Sequence, residues 1–342
     1  METNDKLKLK LAYVPGLRDV VFDEINKKTD FEIVREDKDA FYINYIEDFD
    51  KIQVLKTVSR VYLVHRNEKF NPPFISNHKS ILSNLINIVV SKNEARAFKS
   101  FKINCAGSDT KEILEIKDYI VSELKFEEKD EADLKIYIAK IDGAWEVGLQ
   151  ITPRPFSLRE YKVRNMSGAM DPTIAYSLNY LCGLENYKTY LNIFSGSATL
   201  MIEAGLNYEN LEKIMGFDNN KEYLSLSIQN IKKAGLIKKL SVKELNIFDR
   251  PDLGKFDVIT SDLPFGMIIS KGEDLESLYK TFIEYCEASL NQGGKLGVYT
   301  SEFKLFEKLV ANSSFKLEKE ININLITSED EYLPVKMLIF SL

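Results

Sequence analysis

The segment Ser261-Asp262-Leu263-Pro264-Phe265-Gly266 holds the residues of this 342-residue chain best suited to chemistry. Asp262 offers a carboxylate and Leu263 a backbone carbonyl, two acceptors that can aim the lone pair of an amine. Phe265 offers a flat apolar surface on which a base drawn out of its stack can rest. Pro264 stiffens the backbone between them, which matters because in-line attack depends on orientation. The combination suits methylation of an exocyclic amine. Taken alone, the six residues also read as a plain turn.

Three earlier turns occupy comparable positions, each just after a predicted strand. The first is Asn192-Ile193-Phe194-Ser195-Gly196-Ser197-Ala198-Thr199, whose small residues let a ligand approach the backbone. The helix that follows would aim its free amides at a carboxylate. Asp218 stands 22 residues beyond Gly196. It can accept hydrogen bonds from ribose hydroxyls or cap the helix after it. In the third turn, Asn246-Ile247-Phe248-Asp249, a carboxamide or carboxylate could meet an adenine edge. Further upstream, residues 154–164 gather Arg154, Arg159, Lys162 and Arg164 around Tyr161, against the single acid Glu160. Cations beside an aromatic suit a phosphate backbone with a nearby base, and a charged linker would look the same.

From residue 171 onward, strand and helix patterns alternate. Helices are expected at 171–181, 198–205, 221–234 and 275–290, and strands at 190–194, 214–217, 240–244, 257–260 and 295–300. Residues 315–326 and 335–340 read as a closing antiparallel hairpin. This alternation predicts an α/β fold with a doubly wound, Rossmann-like parallel sheet, in which ligands sit beyond the carboxyl ends of the strands. The first half mixes strands and helices as an α+β region. Strands are expected at 7–13, 31–34, 40–45, 59–65, 99–106, 132–139 and 144–152, and helices at 17–26, 48–58, 77–93 and 110–126. Asp142-Gly143 marks a hairpin, and the sole tryptophan, Trp145, reads as core packing.

Composition narrows the function classes. Charged residues make up 29% of the chain and hydrophobic residues 44%, an ordinary globular balance. No apolar run approaches a membrane span, and the polar start Met1-Glu-Thr-Asn-Asp-Lys lacks a signal-peptide core. Both features point to a cytoplasmic protein. Cys105, Cys182 and Cys286 have no metal-ligand spacing, and two histidines, His65 and His78, offer little for zinc or a histidine base, so no metal is expected. The net charge of −6 does not suggest nucleic-acid binding, but binding needs only a local basic patch.

With these motifs in order, the second half resembles class I methyltransferases that use an Asn/Asp-Pro-Pro-aromatic motif on exocyclic amines. Nearly the whole chain resembles the THUMP-domain RNA methyltransferases that make N2-methylguanosine in tRNA. The residues carrying this are Val14-Pro15-Gly16-Leu17, Lys56-Thr57-Val58-Ser59-Arg60-Val61, Arg159-Glu-Tyr-Lys-Val-Arg164 and Met170-Asp171-Pro172-Thr173-Ile174-Ala175. The resemblance implies a ferredoxin-like domain at 1–70, a THUMP-like RNA-binding domain at 71–153, a basic linker at 154–170 and a methyltransferase domain at 171–342.

It also implies S-adenosylmethionine as cofactor, held by Asn192, Phe194, Ser195, Gly196, Ser197, Thr199, Asp218, Asn246, Ile247, Asp249 and Asp262. Catalysis would fall to Asp262, Leu263, Pro264 and Phe265, and RNA binding to Arg154, Arg159, Lys162 and Arg164. The family's first turn usually reads Asp-x-Phe-Cys/Ala-Gly-Ser-Gly-Thr, so Asn192 replaces an acid and Ala198 a glycine. Leu263 replaces the first proline, as in the guanine-N2 branch. Other readings are an rRNA guanine-N2 or adenine-N6 methyltransferase, or an RNA-binding protein whose cofactor site has decayed. A small activating protein partner is left open.

Overall fold

The computed structural model describes residues 7–67, 77–93, 97–105, 110–166, 168–264, 274–328 and 331–342. Phe265 and Gly266, and the linker expected at Asn71-Pro72-Pro73, lie outside the described residues. The chain divides into two compact units: Met1–Tyr13 with Val21–Ser157, and Val14–Val20 with Leu158–Leu342.

The first unit is built on one sheet. Its strands are β1 (Leu7–Tyr13), β2 (Ile33–Asp37), β3 (Ala40–Asn44), β4 (Val58–Asn67), β5 (Ser100–Cys105), β6 (Glu127–Glu128), β7 (Leu134–Ile141) and β8 (Ala144–Gln150), in the order β2-β3-β1-β4-β8-β7-β5-β6. The strands alternate. Leu9 and Leu11 pair with Ile43 and Phe41 on one side and with Leu63 and Val61 on the other, so one face is apolar throughout. Helices α1 (Arg18–Lys28), α2 (Asn77–Ser91) and α3 (Lys111–Ser122) accompany it, and α3 buries Ile113, Ile116 and Ile120 at helical spacing.

One expectation changes in this unit. The segment 48–58, expected as a helix, makes only a single 3₁₀ turn at Phe49–Ile52, capped by Asp48. The two regions expected as separate domains, 1–70 and 71–153, share the sheet through an antiparallel β4–β8 pairing that sets Tyr62 opposite Gln150. Backbone hydrogen bonding across that seam has no signature in side-chain patterning. The expected hairpin at Asp142-Gly143 joins β7 to β8, with φ of 49° and 80° at its two central residues.

The second unit carries a seven-stranded sheet. Its strands are β9 (Thr189–Ile193), β10 (Lys213–Asp218), β11 (Leu240–Glu244), β12 (Phe256–Asp262), β13 (Leu290–Thr300), β14 (Lys316–Ser328) and β15 (Glu331–Ser341), in the order β11-β10-β9-β12-β13-β15-β14. The first five are parallel, and β15 and β14 add antiparallel strands at one edge. The helices are α4 (Pro172–Leu181), α5 (Thr199–Asn207), α6 (Lys221–Lys233), α7 (Leu275–Ser289) and α8 (Phe303–Val310). α7 and α8 bury Tyr279, Phe282, Cys286 and Phe306 against Leu191, Ile193, Val298 and Leu338.

α4 and α5 lie on the opposite face. There Gly297 and Gly216 lack the Cβ that would collide with Cys182 and Met201. α4 begins as its sequence foretells, with Asp171 accepting from the Thr173 amide at 2.7 Å and Pro172 at the first helical position. α8 has no counterpart among the expected elements. At eight residues it is short, yet its apolar stripe of Phe306, Leu309 and Val310 is buried.

The strand order reverses between β9 and β12, where chain connections leave in opposite directions. In an open α/β sheet that crevice, at the carboxyl ends of the strands, receives the ligand.

Candidate active site

The first turn emerges from β9 into this crevice. Phe194, Gly196 and Ala198 take φ of 56°, 49° and 65°, three left-handed residues within five positions. Only the glycine does so without steric cost; a side-chain residue there stores about 1–2 kcal/mol. The strained loop is held by its neighbours. The Ser195 amide donates to the Phe217 carbonyl at 3.0 Å and the Gly196 amide to Asp218 Oδ2 at 2.9 Å. Ser197 and Thr199 hydroxyls lie 3.2 Å apart, and both residues are buried at the start of α5.

Asn192 is buried, and its Nδ2 donates to the Thr260 carbonyl at 3.0 Å, tying β9 to β12. Its Oδ1 is buried with no hydrogen-bond partner, as is Ser195 Oγ. Orphaned buried acceptors are costly and call for a donor. An ammonium group placed over the turn would satisfy them, so these acceptors fit an amino-acid-bearing cofactor even with an amide in place of the acid the resemblance implies.

Asp218 ends β10. Beyond Gly196, its carboxylate accepts the Asn220 amide at 2.9 Å, and lone pairs remain for a ligand hydroxyl. Burial raises its pKa, opposed by the amides of Asn220, Gly196 and Asn219. The cap of α6 is Asn220, whose Oδ1 accepts from Glu222 and Tyr223. After β11, Asn246 is exposed and its Oδ1 accepts the Phe248 amide at 3.0 Å. Ile247 is buried, Asp249 is exposed, and Phe248 presents half of its surface to solvent.

Asp262 closes β12, paired with Tyr299 of β13. Ser261 Oγ donates to the Ile193 carbonyl at 2.9 Å, a second tie between the two strand ends at the crevice. Part of Asp262 remains accessible, yet protein surrounds the carboxyl group closely, and this desolvation pushes its pKa up to about 7 against the opposing pull of Lys162. The Leu263 side chain is buried and its amide donates to the Tyr299 carbonyl at 3.0 Å. The Pro264 carbonyl accepts from Tyr279 at 2.9 Å.

The cations expected to meet RNA divide. Arg154 and Arg164 are exposed, and Arg164 Nε donates to Gln229 at 2.9 Å. Arg159 instead pairs with buried Glu203 at 3.2 Å, and Lys162 donates to the Met170 carbonyl at 2.6 Å, its charge acting on Asp171, Asp262 and Glu203. Tyr161, read as a base platform, is buried and donates to Glu203 at 2.7 Å. An acid in the middle of α5 draws the aromatic and one cation inward, a long-range pairing that local composition cannot reveal. Lys162 beside Asp262 and Tyr279 beside Pro264 are the site neighbours that sequence reasoning missed. Lys162 was expected to meet RNA rather than Asp262, and no motif marks Tyr279.

A family model described as the RMKL-like methyltransferase domain matches residues 159–329, half of the chain. The chain belongs to this family. Relatives of this chain carry names of the same kind. A tRNA (guanine(6)-N2)-methyltransferase of Methanocaldococcus jannaschii is 26% identical over 57% of this chain and 61% of the relative. The U6 snRNA (guanine-N(2))-methyltransferase THUMPD2 of Bos taurus is 25% identical over 50% of this chain and 32% of the relative. The chain therefore aligns with less than two thirds of the length of these relatives. Among solved structures, TrmN from Thermus thermophilus shares the fold with a TM-score of 0.75 at 18% identity, covering 98% of this chain and 99% of that one. A chain complexed with SAH superposes with a TM-score of 0.69 at 16% identity, covering 98% of each chain.

Proposed function

We propose that this protein transfers a methyl group from S-adenosylmethionine to the exocyclic N2 amine of a guanosine in RNA, with tRNA as the substrate. The observation that carries the reading is the convergence of two strand ends at the reversal of sheet order. Asp262 supplies an acceptor on one side, and Asn192 and Ser195 hold unsatisfied buried oxygens on the other. Relatives named as guanine-N2 methyltransferases support the choice of amine.

When bound, the cofactor supplies an already activated methyl group, so the protein's task is positioning and electrostatics. Asn192, Ser195 and the opening of α5 hold the amino-acid end. Phe194, Gly196, Ser197 and Thr199 shape the turn around it. Asp218 accepts from the ribose, and Asn246, Ile247 and Asp249 border the adenine. The Asp262 carboxylate and the Leu263 carbonyl accept from the target amine and aim its lone pair, and Asp262 takes up the released proton. Pro264 stiffens this stretch, and Phe265 stacks on the base.

Residues 171–342 carry the transfer in the cytoplasm and 154–170 lead into them. Within the first unit, residues 1–70 act as a ferredoxin-like part and 71–153 as a THUMP-like part that grips RNA by backbone and shape. Titration calorimetry tests the cofactor step. The wild type should bind S-adenosylmethionine, and Asp218→Ala should weaken binding at least tenfold. No heat at millimolar cofactor would sink the reading.

A further inference from the structure

Tyr279 is fully buried in α7 and packs edge-on against Phe306 at 5.9 Å. Packing alone would be served equally by phenylalanine. The hydroxyl, however, donates to the Pro264 carbonyl at 2.9 Å and lies 3.2 Å from Thr300 Oγ1, which in turn accepts the Glu302 amide at 3.0 Å. The proton directions agree along the chain. The Glu302 amide donates to Thr300, the Thr300 hydroxyl donates to Tyr279, and Tyr279 donates to Pro264. A buried hydroxyl with both its roles filled is expensive to replace and fixes the geometry of what it bonds.

Its effect falls on the residues after β12. The peptide before Leu263 is pinned, because the Leu263 amide donates to the Tyr299 carbonyl. The carbonyl after Pro264 is pinned by Tyr279. Between them lies the Leu263–Pro264 bond, which has no N–H to donate. Its only polar atom is the Leu263 carbonyl oxygen. With the Leu263 side chain buried and both flanking groups held, that oxygen keeps one direction.

We propose that Tyr279 is a positioning residue for methyl transfer: by taking the Pro264 carbonyl, its hydroxyl fixes the direction of the Leu263 carbonyl that, beside Asp262, aims the target amine. The inference rests on the function proposed above.

Single-turnover and steady-state methylation of unmodified tRNA transcript by the wild type and by Tyr279→Phe tests it. Tyr279→Phe should lower kcat about 10- to 100-fold, the scale of a small misplacement of reacting groups. KM for cofactor and RNA, and the pH midpoint set by Asp262, should stay as in the wild type. Hydrogen exchange at the Leu263 amide should speed up while α7 amides keep their protection. Transfer by the wild type with an unaltered kcat in Tyr279→Phe overturns this proposal alone. A matched rise in KM without loss of kcat does the same. No transfer by the wild type overturns the function reading and this proposal with it. If Tyr279→Phe does not fold, Thr300→Val removes the hydroxyl that donates to Tyr279. It should lower kcat severalfold at constant KM, and an unchanged kcat would overturn the proposal.

Discussion

Asp262 and Lys162 set the electrical state of the crevice. In its proposed role as amine acceptor Asp262 works as a carboxylate, so transfer should rise as pH climbs through about 7, the raised value that burial gives it. Lys162 opposes that rise, and Lys162→Met should move the midpoint of the rate profile upward, which a pH–rate series reads directly. The same shift enters stability with the opposite benefit. A carboxyl whose folded pKa exceeds its ordinary 3.8 stabilises the fold fully below that value and loses the contribution as pH rises to about 7. Asp262→Asn should therefore gain thermal stability relative to the parent across that interval, and parallel melting curves at all pH values would contradict this. The residue types at 192, 218, 246 and 262 were legible as polar groups following strands. The inward turns of Arg159 and Tyr161 were not, because both depend on Glu203, distant in sequence, while Lys162 turns in to the Met170 carbonyl.

Strand ends, helix starts and the turns between them carry the next layer of the account. The order of elements in the second unit follows from alternating patterns, and strands such as β11 (Leu240–Glu244) fall where the side chains place them. The α8 helix escaped although its eight residues set Phe306, Leu309 and Val310 on one buried face. The stretch 48–58 reads as a helix because Phe49, Ile52 and Leu55 mimic helical spacing, yet only Phe49–Ile52 turns, as 3₁₀. At the first turn, Ala198 stands at φ 65° and is fully buried. Ala198→Gly should relieve strain and raise stability by up to about 1 kcal/mol, less the entropy glycine adds to the unfolded chain. Ser261→Ala should cost about 1–2 kcal/mol, since it removes the hydroxyl that joins β12 to the Ile193 carbonyl. Chemical denaturation of both variants checks the two signs together.

Across the whole chain, a net charge of −6 must coexist with the RNA partner proposed above. Exposed Arg154 and Arg164 remain available for phosphate, whereas Arg159 holds buried Glu203. Arg154→Ala with Arg164→Ala should flatten the salt dependence of RNA affinity by roughly 1–2 in log–log slope. Arg159→Ala should leave the slope alone and destabilise the fold, because a buried carboxylate loses its cation. Mass spectrometry of nucleosides reads what leaves this crevice most directly. Unmodified tRNA transcripts incubated with the protein and S-adenosylmethionine carrying a deuterated methyl group should yield labelled N2-methylguanosine, lost in Asp262→Ala. Label in N6-methyladenosine, or no labelled nucleoside from a protein that binds the cofactor, would contradict the account.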